Sequence, residues 1–76
     1  MNYVKDISVG TNILTFKCES LGIDTKWISD IEAVRDNGYC IVISFKDDDY
    51  SLTDNWFTLK ERQHIVEDIL RRMEVE

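Results

Sequence analysis

Tyr50-Ser51-Leu52-Thr53-Asp54-Asn55-Trp56-Phe57-Thr58-Leu59-Lys60-Glu61 decides the fold, because the side-chain period changes inside it. Up to Thr53 the chain alternates, with Tyr50 and Leu52 on one side and Ser51 and Thr53 on the other. That is the two-residue period of a strand. From Trp56 and Phe57 onward the period lengthens to 3.6. Thr58 and Glu61 fit a capping box: the threonine oxygen accepts from the Glu61 amide, and the glutamate reaches back. Behind it Leu59, Val66, Ile69, Leu70 and Met73 share one helical stripe, with Ile65 on its edge. Lys60, His64, Glu67, Asp68 and Arg71 point away. The spacing predicts a helix over residues 58–73, with residues 74–76 fraying. Glu67 with Arg71 and Asp68 with Arg72 form i,i+4 pairs worth about 0.2–0.5 kcal/mol each. Both arginines also suit the negative helix C-terminus.

Upstream of the switch, period two prevails. Tyr3, Ile7 and Val9 lie on one face of a first strand, with Lys5 intruding and Asp6 and Ser8 opposite. Gly10-Thr11-Asn12 reads as a turn, and Leu14, Phe16 and Cys18 line one face of the next strand. Ser20-Leu21-Gly22 marks a second turn before a short strand at 23–27. Residues 31–35 read as strand or as a single helical turn. Asp36-Asn37-Gly38 predicts a type I′ hairpin, with Asn37 and Gly38 both at positive φ. The run 39–45 is apolar on both faces, the mark of a central strand. Lys46-Asp47-Asp48-Asp49 turns into the last strand.

The expected fold is therefore α+β: an antiparallel β-meander of about five strands, then one C-terminal amphipathic helix packed on the sheet. At about 1.5 Å per residue the helix spans roughly 24 Å, enough to cross several strands about 4.8 Å apart. In topology alone this order resembles the end of pleckstrin-homology-like barrels, a likeness that carries no function.

A chain of 76 residues makes one small domain and buries only about 60% of the surface its unfolded form exposes. Its 43% hydrophobic content supports a core, and zero prolines with three glycines argue against linkers. No apolar run approaches the roughly 18 residues of a membrane span. Met1-Asn2-Tyr3-Val4-Lys5-Asp6 contains no apolar h-region, so a soluble, cytoplasmic protein is expected. Cys18 and Cys40 read as buried thiols rather than a disulfide.

Charge is distributed unevenly. Between Glu19 and Asp54 stand nine carboxylates (Glu19, Asp24, Asp30, Glu32, Asp36, Asp47, Asp48, Asp49, Asp54) against Lys26, Arg35 and Lys46. That block carries the whole formal charge of −6. Direct nucleic-acid binding is disfavoured, since it rests on cations neutralising phosphates, and anionic membranes are disfavoured by the same sign. A partner protein with a basic surface is favoured.

Motifs for chemistry are missing. His64, the only histidine, falls on the solvent side of the helix without a nucleophile or orienting acid. One histidine and two scattered cysteines do not make a zinc site. The stretch from Asp47 to Asp54 lacks the central glycine of a calcium loop, and its twelfth position is Thr58, not glutamate. No phosphate loop or nucleophile elbow is present. No cofactor, no metal and no enzymatic activity are expected. Trp27 and Trp56 have two readings, core packing or interface anchors. Tyr50, taken as lying on an edge strand, is a further anchor candidate.

These features point to a small acidic protein–protein interaction module that occupies a basic site of its partner. A nucleic-acid-binding enzyme is one such partner, with carboxylates standing in for phosphates. Phage-encoded inhibitors of nucleic-acid enzymes and immunity proteins against nuclease toxins have a similar profile. The expected contact set is Asp30, Glu32, Asp36, Asp47, Asp48, Asp49, Tyr50 and Asp54. In a meander these carboxylates form two clusters at opposite ends of the 39–45 strand, or one band of some 20–25 Å matching several phosphates about 1.7 Å apart. The alternative is a structural or assembly subunit forming a homo-oligomer, down to a homo-dimer, through a sheet edge or helix face. A third reading is an enzyme or small-molecule binder without a recognisable motif.

Overall fold

The computed structural model describes residues 1–20 and 22–74. Six strands precede one helix: β1 (Asn2–Val9), β2 (Ile13–Cys18), β3 (Gly22–Trp27), a 3-10 turn (Ile28–Asp30), β4 (Ala33–Asp36), β5 (Cys40–Ser44), β6 (Asp49–Thr53) and α1 (Leu59–Glu74). The strands form one sheet in the order β3-β2-β1-β6-β5-β4. The α+β class and the C-terminal helix are as expected, with one strand more. Of the run 31–35, residues 33–35 are strand, in β4, and none is helical.

The sheet is not one continuous meander. Two three-stranded antiparallel meanders meet through a parallel pair, β1 against β6, in which Asn2 faces Tyr50 and Tyr3 faces Ser51. The 3-10 turn carries the chain from one sheet edge to the other, so the first and last strands pair at the centre. There β6 is buried on both faces, with Tyr50, Ser51 and Leu52 all inaccessible.

A bulge in β1 alters its first face. Val4 pairs with Cys18, and the ladder resumes one residue out of step at Asp6 opposite Lys17. The extra residue flips the alternation, so Val4, Ile7 and Val9 face the core together. Tyr3, assigned to that face by strict alternation, is exposed instead. On β2, Leu14, Phe16 and Cys18 are buried as expected.

The β4–β5 turn also differs from expectation. Asp36 pairs with Ile41, and Asn37 donates its amide to the Cys40 carbonyl at 3.2 Å. The two loop residues are therefore Gly38 and Tyr39, one step later than expected. Of these two only Gly38 has positive φ, at 88°, and no non-glycine residue among the described ones does. That is the pattern of a type II′ hairpin, which needs a glycine at its first central position alone. The register is set by Ile41 and Ile43, which must reach the core.

Helix α1 begins with the capping box. Thr58 donates its amide to Glu61 Oε1 (2.8 Å), and the Glu61 amide donates to Thr58 Oγ1 (3.1 Å). Hydrogen bonding from Thr58 lowers the pKa of the Glu61 carboxyl, the Thr58 amide contributing most and its side chain next. The packed face, however, is not the expected stripe. Ile69 is fully buried and Ile65 and Val66 partly so, but Leu59 and Leu70 are exposed. Arg62 completes the face, buried to 5% exposure. At 100° per residue Arg62 lies about 20° from Ile69, whereas Leu59 and Leu70 lie about 80–100° away. Counting only apolar residues had rotated the stripe. Glu74, expected to fray, closes the helix, and Val75 and Glu76 lie outside the described residues. Leu21 of the expected second turn does too.

Arg62 Nη1 donates to the Phe57 carbonyl (2.7 Å) and Nη2 to the Gly38 carbonyl (3.3 Å). One guanidinium thus ties the start of the helix to the β4–β5 turn.

Candidate functional site

The acidic side chains are positioned by the curl of the sheet. On the core-facing side of β3, Asp24 stands opposite Phe16 and Lys26 opposite Leu14. Two strands separate β3 from β6, so a flat sheet would hold them roughly 14 Å apart. Yet the Tyr50 hydroxyl donates to the Asp24 carboxylate, and Lys26 Nζ reaches Asp48 Oδ2 at 3.0 Å. Phe16, Phe45 and Tyr50 fill the space beneath. Phe16 and Tyr50 stack at 4.1 Å, and Phe45 meets both rings edge-on. The sheet therefore curls until its β3 edge overhangs the β5–β6 turn.

This corrects the placement of Tyr50. It is fully buried on a central strand and offers no anchor to a partner. Its phenol pKa is pushed up, first by burial and then by the Asp24 hydrogen bond and charge. Burial likewise pushes the Cys18 thiol up, with Asp24 adding. The Lys26 pKa is raised, chiefly by its hydrogen bond to Asp48, against opposition from burial.

The remaining expected contact residues separate into two groups, the first of the two arrangements anticipated. Asp30, Glu32 and Asp47 line one groove of about 470 Å³ together with Lys26 and Lys46. Asp47, Asp48 and Asp49 line an adjoining one beside Met1 and Asn2. The Glu32 amide donates to the Ser44 carbonyl at 2.8 Å, which fixes this end of the sheet. Asp36 and Asp54 lie at the other end, where β5 begins and β6 stops. No band joins them. Asp48 and Asp49 are also not free turn residues: Asp48 is paired with Lys26, and Asp49 opens β6 and receives the Asn2 side-chain amide on its carbonyl at 3.3 Å. The two-residue β5–β6 turn leaves only Lys46 and Asp47 unpaired in the ladder, because Phe45 already bonds Asp48.

At this end, then, Asp24, Asp30, Glu32, Asp47, Asp48 and Asp49 are set against Lys26 and Lys46. Asp24 and Asp48 are engaged internally. Asp30, Glu32 and Asp47 are exposed and without an ion pair among the described residues. Chemically, the arrangement is an acceptor surface for cations such as arginine and lysine side chains. Sequence reasoning had left Lys26 out of this group. It carried no motif, and only the inward turn of β3 brings it to Asp48.

Neither tryptophan is in the core: Trp27 and Trp56 are both about half exposed. Lys5 Nζ sits over the Trp56 ring, 5.2 Å from its centroid. His64 is exposed on α1, Cys40 is half-buried with its Sγ 3.1 Å from Asn37 Oδ1, and both cysteines are free. Among the described residues no three His, Cys, Asp or Glu side chains are arranged to hold a metal ion, and no helix is long and apolar enough to cross a membrane. Comparison of the chain with protein-family models, with characterised proteins and with solved structures found no match.

Proposed function

We propose that this chain is a small acidic interaction module that occupies a basic site on a partner protein, in the manner of an inhibitor or immunity protein. The reading is supported by one observation above all. Asp30, Glu32 and Asp47 come from three separate segments, the 3-10 turn, the linker to β4 and the β5–β6 turn, and converge on one groove. These three carboxylates are exposed and carry no ion pair among the described residues, so they are open to a cationic partner. The contact set is then Asp30, Glu32 and Asp47, with Asp48 and Asp49 flanking. Asp36 and Asp54 fall away, and Tyr50 supports the surface from beneath. Where the partner is a nucleic-acid enzyme, the carboxylates take the place of a short run of phosphates.

The test is paired affinity capture from extract of the source cells, with the wild-type chain and the Asp30→Asn/Glu32→Gln/Asp47→Asn variant as baits. All three positions are exposed, so the variant keeps its fold. The reading expects a partner with a basic surface that the variant loses and that roughly 200 mM salt weakens, since exposed charges are screened within about 10 Å. Equal capture by both baits rules it out.

A second reading, a subunit of a homo-oligomer, is favoured by a different observation: Ile23 and Trp27 stand exposed on the edge strand β3.

A further inference from the structure

Strand β3 is inside out. Its alternation should send Ile23 and Trp27 to the core and Asp24 and Lys26 to water. Instead Ile23 is 71% and Trp27 55% exposed, while Asp24 and Lys26 turn inward to Tyr50 and Asp48. A one-residue slip would reverse every side chain of the strand. The observed register is fixed from both ends, by the hairpin with β2 and by those two inward bonds. Two large apolar side chains are thus held in water beside an open sheet edge.

The edge is also open in its hydrogen bonding. The Ile28 amide donates to the Asn12 carbonyl at 2.8 Å, which sets the phase of the β2–β3 ladder. Lys26 and Asp24 then bond to β2, and the amides and carbonyls of Ile23, Thr25 and Trp27 point off the sheet. Among the described residues no backbone group of another element meets them.

We propose that β3 pairs antiparallel with β3 of a second copy of this chain, about a two-fold axis at Thr25. This rests on the oligomer reading and not on the acidic end. In that register Thr25 faces its own counterpart and Ile23 faces Trp27, each pair exchanging two backbone hydrogen bonds. Ile23 beside Trp27 is an aromatic–β-branched cross-strand pair on the outer face. On the inner face Asp24 comes opposite Lys26 at the non-hydrogen-bonded position, where side chains approach most closely.

Charge selects this partner and this register. Inward charges on an edge strand normally prevent sheet extension. Here the two charges are opposite in sign and two residues apart, so the self-pair sets each beside its opposite, in addition to the bonds to Tyr50 and Asp48 within each copy. Moving the register to either neighbouring in-phase position sets Asp24 against Asp24 or Lys26 against Lys26, and like charges directly opposite are destabilising. An uncharged extended segment would add no partner of opposite sign to either charge. A second copy matches both.

Sedimentation equilibrium of the whole chain, wild type and Thr25→Pro, tests the inference. Proline at 25 removes an amide that points off an edge, a position where sheets tolerate it. The variant should keep the wild-type melting temperature while its dimer weakens by roughly tenfold or more. Independently, the T25C chain should oxidise to a disulfide-linked dimer, because a hydrogen-bonded cross-strand pair holds Cα atoms about 5.5 Å apart, within disulfide range. The S8C chain, altered on the same face at an interior strand, should not. A wild-type chain that stays monomeric up to about 1 mM, or a dimer that Thr25→Pro leaves intact, overturns the proposal. Neither result bears on binding at Asp30, Glu32 and Asp47, which the substitution does not touch.

Discussion

The Tyr50 hydroxyl on β6 donates to the Asp24 carboxylate on β3, joining two strands that the sheet itself keeps apart by β1 and β2. With Lys26 and Asp48 alongside at 3.0 Å, the bond holds the curl that gathers the acidic end. The fold and the candidate site therefore share one part-buried contact.

Alkaline pH should loosen it. In the folded protein the pKa values of Tyr50 and Lys26 are raised above their ordinary values of 10.0 and 10.5. A raised folded pKa means that the native state holds its proton more tightly. The stabilisation is complete below about pH 10 and is lost as pH rises through the folded values. Denaturation midpoints measured from pH 8 to 12 should fall above about pH 10. Tyr50→Phe should lower stability by about 1–3 kcal/mol at neutral pH, because Asp24 loses a buried donor, and should flatten the alkaline slope. An unchanged slope in that variant would show that Tyr50 does not carry it.

Along α1, neighbouring residues should differ sharply. Ile69→Ala removes a fully buried side chain and should cost about 2–5 kcal/mol. Leu70→Ala, at a 43% exposed position, should cost under about 1 kcal/mol. Urea denaturation of the two variants decides the matter, and equal losses would place the packed face where an apolar-only count puts it.

Arg62 should resist conservative replacement. Its planar fork serves the Phe57 and Gly38 carbonyls at once, and a lysine ammonium lacks that geometry. Arg62→Lys should destabilise by about 1–3 kcal/mol, the cost of a buried polar group left unpaired. Hydrogen exchange should also quicken at the β4–β5 turn, whose Gly38 carbonyl loses its partner. Stability within about 0.5 kcal/mol of wild type would mean that the fork is dispensable.

Much of the fold was legible in the chain because its cues are local. The period switch at Trp56, the Thr58–Glu61 box and the alternation of Leu14, Phe16 and Cys18 each depend on neighbours in sequence. What escaped depends on distant partners. The bulge that exchanges Tyr3 for Val4, the parallel pairing of β1 with β6, and the burial of Arg62 have no local signature. Tyr50 was misplaced for the same reason, since the centre of this sheet is made by its first and last strands. At the candidate site, the carboxylates were readable as composition, and their division into two ends was one of the two arrangements that the strand between the turns leaves open. The inward turn of Asp24 and Lys26 was not readable, because it contradicts the alternation of its own strand.

The most direct measurement is an NMR titration of the isotope-labelled chain with a short arginine-rich peptide, because the protein contains its own control in two acidic ends. The account predicts saturable amide shifts at Asp30, Glu32, Asp47, Asp48 and Asp49, reduced as salt rises from about 50 to 200 mM, and little movement at Asp36 and Asp54. Shifts spread equally over both ends, or concentrated at Asp36 and Asp54, would contradict it.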